Sequence, residues 1–151
     1  MKRLQQSLLL LLALLSANVG NAQSVSKPRL SLRDKAAIIQ VAMELKLKSE
    51  GPLKFSQHQV FRTGEMSAKL LPRIPGFSFS LMTPAAIRKR TLPPEGFKFL
   101  DVSFWQKGEV IEFDLHIIER RGGLPMYSHV YEYFFRKSGG VWQGEIVMVI
   151  C

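Results

Sequence analysis

Cysteine is almost missing from this chain. The one residue, Cys151, has no partner within it, so no intramolecular disulfide can staple the fold, which must be held by its core. The sequence also lacks a metal motif of recognised ligand spacing, a Gly-rich phosphate loop, a Ser-His-Asp signature and a cysteine nucleophile motif. There is no internal repeat and no low-complexity tract beyond the N-terminus. After residue 22 no apolar run approaches the about 20 residues needed to span a bilayer. The first of these absences excludes a disulfide-stapled scaffold, and the others leave no recognised catalytic motif and no second segment of membrane-spanning length.

What is present begins with an export signal. Lys2 and Arg3 form a positive end, Leu8 to Leu15 form an apolar core broken only by Ala13, and Gly20 and Ala22 supply the small residues that a signal peptidase accommodates. Residues 1–22 are therefore expected to be a cleaved signal peptide, leaving Gln23 first and delivering the chain to a periplasmic or extracellular space. No cysteine follows the apolar core, which disfavours a lipid anchor. Residues 23–30 are expected to be a flexible lead-in and residues 31–151 a single domain, a size at which most of the unfolded chain's apolar surface can be buried. Cys151 ends an apolar strand-like run, so a half-buried thiol is favoured over a link to a second copy in a homodimer.

The whole chain holds 21 Lys and Arg against 12 Asp and Glu, and the excess is uneven. All of it falls before residue 99; residues 99–151 hold 5 basic and 7 acidic side chains and are slightly acidic. Only the first part can meet an anionic partner by charge.

Ser31 with Asp34 is a capping-box arrangement, and Ile38, Val41, Ala42 and Leu45, broadened by Ile39 and Met43, recur at helical spacing. Gly51-Pro52 stops the pattern, which predicts a helix over 32–50 with Lys35, Glu44, Lys46, Lys48 and Glu50 on a solvated face. Short strands are expected at Gln59–Arg62 and Phe77–Met82, and Thr83-Pro84 starts a short helix over Pro84–Arg90. From Phe97 the pattern is four antiparallel strands, Phe97–Gln106, Val110–Glu119, Met126–Lys137 and Val141–Ile150, separated by glycines. With Lys107-Gly108 as the turn of the first hairpin, Leu100, Val102 and Phe104 face Leu115, Phe113 and Ile111. On the other face Ser103 meets Glu112, Asp101 meets Asp114, and Phe99 meets His116. One face is apolar and the other mostly polar, as a sheet packed on one side requires. The last two strands carry apolar residues on both faces, so their core-facing side stays open.

A long N-terminal helix followed by a meander of antiparallel strands is an α+β arrangement, with the helix packed on a curved antiparallel sheet. The stretches Pro72-Arg73-Ile74-Pro75-Gly76-Phe77, Phe99-Leu100-Asp101-Val102-Ser103-Phe104 and Tyr131 to Trp142 carry a resemblance over about residues 31–150. In layout the chain resembles small secreted bacterial proteins of the cystatin-like or nuclear-transport-factor-like fold. That likeness implies a sheet wrapped around a helix and often a pocket, but no catalytic motif and no function. A cystatin-like protease inhibitor would need a Gln-x-Val-x-Gly loop. Gln57-His58-Gln59-Val60 is followed here by Phe61-Arg62, so the glycine is missing.

The predicted register places Asp101 against Asp114, with Glu112 and His116 on the same face. Like charges across a hairpin predict a raised carboxylate pKa, a neighbouring cation or enough water to screen both. Asp101, Asp114 and His116 are the candidate acid–base set, with metal binding by them less favoured because no ligand motif supports it. Glu112, Tyr131, Tyr133 and Trp142 are candidate ligand-binding residues, although aromatics at strand spacing more often pack in a core. Arg88, Lys89 and Arg90, with Lys69, Arg73 and Lys98 near them in sequence, can form an anion-binding patch. No aromatic lies between Arg88 and Arg90 to stack bases, and nucleic acid is disfavoured. His58 and His129 have no partner in their own segments and read as structural. The chain is thus expected to be an exported, non-catalytic binding or accessory domain without a cofactor. Its partner would be a small molecule, an anionic envelope component or a protein. The alternative is a small pocket enzyme of hydrolase or isomerase type.

Overall fold

The computed structural model of the chain describes residues 26–49, 57–90, 97–121 and 124–150. The expected signal peptide and Cys151 lie outside these residues. In chain order the elements are α1 (Leu32–Ser49), β1 (His58–Arg62), a 3₁₀ turn (Ala68–Leu70), β2 (Ser78–Met82), α2 (Pro84–Lys89), β3 (Phe97–Lys107), β4 (Val110–Arg121), β5 (Leu124–Ser138) and β6 (Val141–Ile150).

The expected α+β arrangement, a helix packed on a curved antiparallel sheet of cystatin-like or nuclear-transport-factor-like kind, is overturned. Strand accounts for 53% of the described residues, which makes the fold sheet-dominated. The six strands form one mixed sheet in the order β2-β1-β3-β4-β5-β6. The departure lies in the first half of the chain. β1 runs parallel to β2 from His58↔Ser78 to Arg62↔Met82, and parallel to β3 through Phe61↔Leu100. Parallel neighbours require a crossover rather than a hairpin. Here residues 63–77 supply the first crossover, and α2 lies on the second, between β2 and β3.

Local signals set the helices. Ser31 Oγ accepts from the Asp34 N–H at 3.1 Å and donates to Asp34 Oδ2 at 2.7 Å, so the two side chains cap α1 together. Asp34 Oδ1 also accepts from Lys137 Nζ and Trp142 Nε1, each at 2.8 Å, which ties the helix start to β5 and β6. The bond from Lys137, then those from Ser31 and Trp142, hold the Asp34 carboxyl well below the ordinary carboxylate range. Thr83 Oγ1 accepts from the Ala86 N–H at 3.1 Å, with Pro84 at the first helical position of α2.

The main core lies on one face of the sheet. It joins Leu100, Val102 and Phe104 of β3, Ile111, Phe113 and Leu115 of β4, and Tyr131, Tyr133 and Phe135 of β5 to Ile38, Ile39, Ala42 and Met43 of α1. Lys46, expected on a solvated face, is fully buried, with Nζ 3.6 Å from the centre of the Tyr131 ring. It falls seven residues after Ile39 and so continues the buried stripe, its cation over an aromatic face. Ser26 exchanges backbone hydrogen bonds with Gln106 at 3.2 and 2.7 Å and Leu30 packs against the core.

The second face is divided. Val60, Ile87, Phe97, Phe99 and Ile118 form a smaller apolar cluster beneath α2, with Met82 packed against it. Beyond this cluster the same face turns polar along β3, β4 and β5. The pairing register shifts at Ile117/Ile118 between β4 and β5 and at Glu132/Tyr133 between β5 and β6.

Candidate functional site

The β3–β4 hairpin closes on Gly108-Glu109, one residue later than expected. Lys107 pairs with Val110, and Gly108 has φ +61°, a backbone that two-residue hairpin turns favour and that glycine adopts freely. The register therefore moves by two residues, and every side chain keeps its expected face. Asp101 sits opposite His116, not Asp114. Asp114 sits opposite Ser103, and Glu112 opposite Trp105. The predicted Asp101–Asp114 repulsion across the hairpin does not arise.

The polar face is a chain of half-buried pairs. Arg62 of β1 forms an ion pair with Asp101, whose Oδ1 also accepts from the Val102 N–H at 3.1 Å. Ser103 Oγ donates to Asp114 Oδ2 at 3.0 Å and lies 3.4 Å from His116 Nε2. Lys107 pairs with Glu112, a bond that raises the lysine pKa. The like-charge contact instead runs from β4 to β5, where Asp114 faces Glu132. Burial raises the Asp114 pKa against the bond from Ser103, with the Glu112 charge adding to the rise. Burial also raises Glu132, reinforced by Glu112 and Asp114.

Glu112, Asp114 and Glu132 each place a carboxylate oxygen within 4.8 Å of the others, a group with the donor chemistry for a hard cation. Neither Asp101 nor His116 belongs to it, and Lys107 already brings a positive charge to Glu112. A raised folded-state pKa means that the native state binds more protons than the unfolded chain, so the Glu132 contribution to stability falls as pH rises past its ordinary value of 4.5. The variant Glu132→Gln is expected to melt at a higher temperature than wild type near pH 7. At about pH 3.5, where the acid is protonated in both states, the advantage disappears. Thermal unfolding followed by circular dichroism at the two pH values checks this, and an unchanged or lowered midpoint at neutral pH contradicts it.

The other candidates separate. Tyr131 and Tyr133 lie in the main core on the opposite face from Glu112, Tyr133 with no exposed surface and its hydroxyl pKa driven up by burial. Trp142 is partly buried against the same core and donates to Asp34. Arg88 and Lys89 are exposed in the last turn of α2.

Arg90 belongs to a different place. A cleft of roughly 410 Å³ opens between β1, β2, the end of α2 and the start of β3. Its apolar side is Val60, Met82 and Phe97, and its polar side is His58, Ser80, Arg90 and Lys98. The Arg90 guanidinium carbon stands 4.1 Å from the centre of the Phe97 ring. The His58 ring bridges two hydroxyls of β2, with Nδ1 2.9 Å from Ser78 Oγ and Nε2 3.0 Å from Ser80 Oγ. The partners that His58 lacks in its own segment come from the parallel strand beside it. α2 is held over this end of the sheet by buried Ile87 and by Arg120 Nη1, which donates to the Ile87 carbonyl at 2.8 Å. A second cavity, of roughly 420 Å³, is lined by Leu71, Arg73, Ile74 and Phe77 with the prolines and Phe79 around them.

No family model matches the chain, and neither a curated protein nor a solved structure matches it.

Proposed function

We propose that this chain is an exported, non-catalytic binding domain, delivered to a periplasmic or extracellular space after removal of residues 1–22. The observation that carries the reading is the state of the candidate acid–base set. Asp101 is held by Arg62, and Asp114 accepts the Ser103 hydroxyl proton. A nucleophilic serine needs the reverse order, in which histidine takes the serine proton and the carboxylate orients the histidine. Neither of the cavities described above includes Asp101, Asp114 or His116. A general acid–base pair acts on a substrate only if a reacting group can come within hydrogen-bond reach of it.

The test is mass spectrometry of small molecules that co-purify with the full chain, expressed with its leader and recovered after export. The expected result is a retained compound recovered chemically unchanged after prolonged incubation with the protein, and a chain beginning at Gln23. Conversion of the compound overturns the non-catalytic reading, and an intact leader overturns export with processing.

A further inference from the structure

We propose that the cleft between β1, β2, α2 and β3 binds a small amphiphilic anion, a carboxylate or phosphate head on a short aliphatic body. The cleft is one specific place for the binding proposed above, and rests on that reading. Three observations carry it.

The first is charge. Arg90 and Lys98 line the cleft and no carboxylate does. Lys98 is partly answered by Glu119 at 3.8 Å, whereas no carboxylate among the described residues pairs with Arg90. The guanidinium carbon instead stands 4.1 Å from the centre of the Phe97 ring, and a guanidinium held over an aromatic face keeps its edge N–H groups available as a fork for two anionic oxygens. This ring is the aromatic that the basic run Arg88-Lys89-Arg90 lacks in its own segment.

The second is the polar wall. Ser80 lines the cleft, and its Oγ is already engaged by His58. With the ring proton on Nε2, the Ser78 hydroxyl turns from the Gln57 carbonyl at 3.3 Å, which keeps the Ser78 N–H, to donate to Nδ1, and His58 donates to Ser80 and leaves the Ser80 O–H for a bound head group. His58 is then a positioning residue, oriented at its other nitrogen by Ser78.

The third is the apolar wall. Val60 and Phe97 are nearly fully buried members of the smaller apolar cluster, and Met82 packs against it with a flexible thioether that can follow an aliphatic chain. A volume near 410 Å³ falls within the range of small-molecule sites, which are largely apolar with a few placed polar groups. A bare inorganic anion would leave this wall uncovered.

The experiment titrates the full processed chain with octanoate, octyl phosphate, octanol and inorganic phosphate, followed by calorimetry and by amide shifts of β1 and β2. The two octyl anions are expected to bind, and whichever is tighter identifies the head group. Octanol and inorganic phosphate are expected to bind at least about tenfold more weakly, since each lacks one half of the recognition. Arg90→Gln is expected to weaken the octyl anions about tenfold, and Ser80→Ala several-fold, while Arg73→Gln at the other cavity leaves them unchanged. Arg90 is exposed, so the variant is expected to keep the wild-type melting temperature. If that temperature falls, the Ser80→Ala result decides alone. Equal binding of octanol and octanoate overturns the proposal, as does octyl-anion binding indifferent to both substitutions. A co-purifying compound retained equally by wild type and Arg90→Gln removes the cleft assignment and leaves the binding-domain reading in place. Conversion of that compound removes the reading itself.

Discussion

Replacing Phe113 by alanine is expected to lower the free energy of unfolding by about 3–5 kcal/mol. Phe113 has no exposed surface and lies in a cross-strand row, opposite Phe104 on β3 and Tyr133 on β5. Its ring centre is 5.0 Å from that of Phe104, 5.9 Å from Tyr133 and 6.3 Å from Phe135, the last edge-on at 81°. Truncation removes the burial of one ring and leaves three others facing a void that a sheet held on both sides closes only in part. A domain of this size has a total stability of about 5–15 kcal/mol, so the loss is a large share of it. Urea unfolding with the slope held common to both proteins measures it. A loss under about 1 kcal/mol would mean that the row of rings does not carry the core.

The second large effect concerns a residue with no side chain. Gly144 of β6 faces Phe135 of β5, and a Cβ at position 144 would overlap the Phe135 ring. That ring is wholly buried and in contact with Phe113 and Tyr133, so it has no open space to swing into. Glycine in a strand ordinarily weakens it, and substitution by a β-branched residue would ordinarily help. Here Gly144→Val is expected to destabilise by about 1–3 kcal/mol through overpacking. Phe135→Leu, which withdraws the ring, is expected to make the Gly144→Val penalty smaller in the double variant than in wild type. Simple additivity in this double-mutant cycle would reject the steric account.

Much of the local structure was legible in the sequence. The Ser31/Asp34 cap, the Thr83-Pro84 start and the alternation of β3 and β4 each rest on neighbours in the chain, and all three are found. The hairpin register was two residues out because Lys107-Gly108 and Gly108-Glu109 are both acceptable turns around one glycine; the error preserved the faces but changed the carboxylate pairing. The fold class was misread because β1 and β2 have five residues each, and nothing in them announces parallel partners. The cleft escaped for the same reason. Arg90 and Lys98 stood out as basic residues, but His58 meets Ser78 and Ser80 only after the parallel pairing forms. Lys46 was misassigned by charge alone, although its spacing from Ile39 already placed it on the buried stripe.

The strand order β2-β1-β3-β4-β5-β6 also has a meaning in time. β3 to β6 join by three successive hairpins, each closing a short loop, whereas β1 gains its β3 neighbour only across the 3₁₀ segment, β2 and α2. Short loops close early and long ones late. Residues made first are thus the last to find their place, since β1 needs the edge of a strand that the ribosome has not yet produced. Until β3 has been made, β1 and β2 lack the strand edge that joins them to the rest of the sheet, so the sheet cannot be completed while that part of the chain is still unmade.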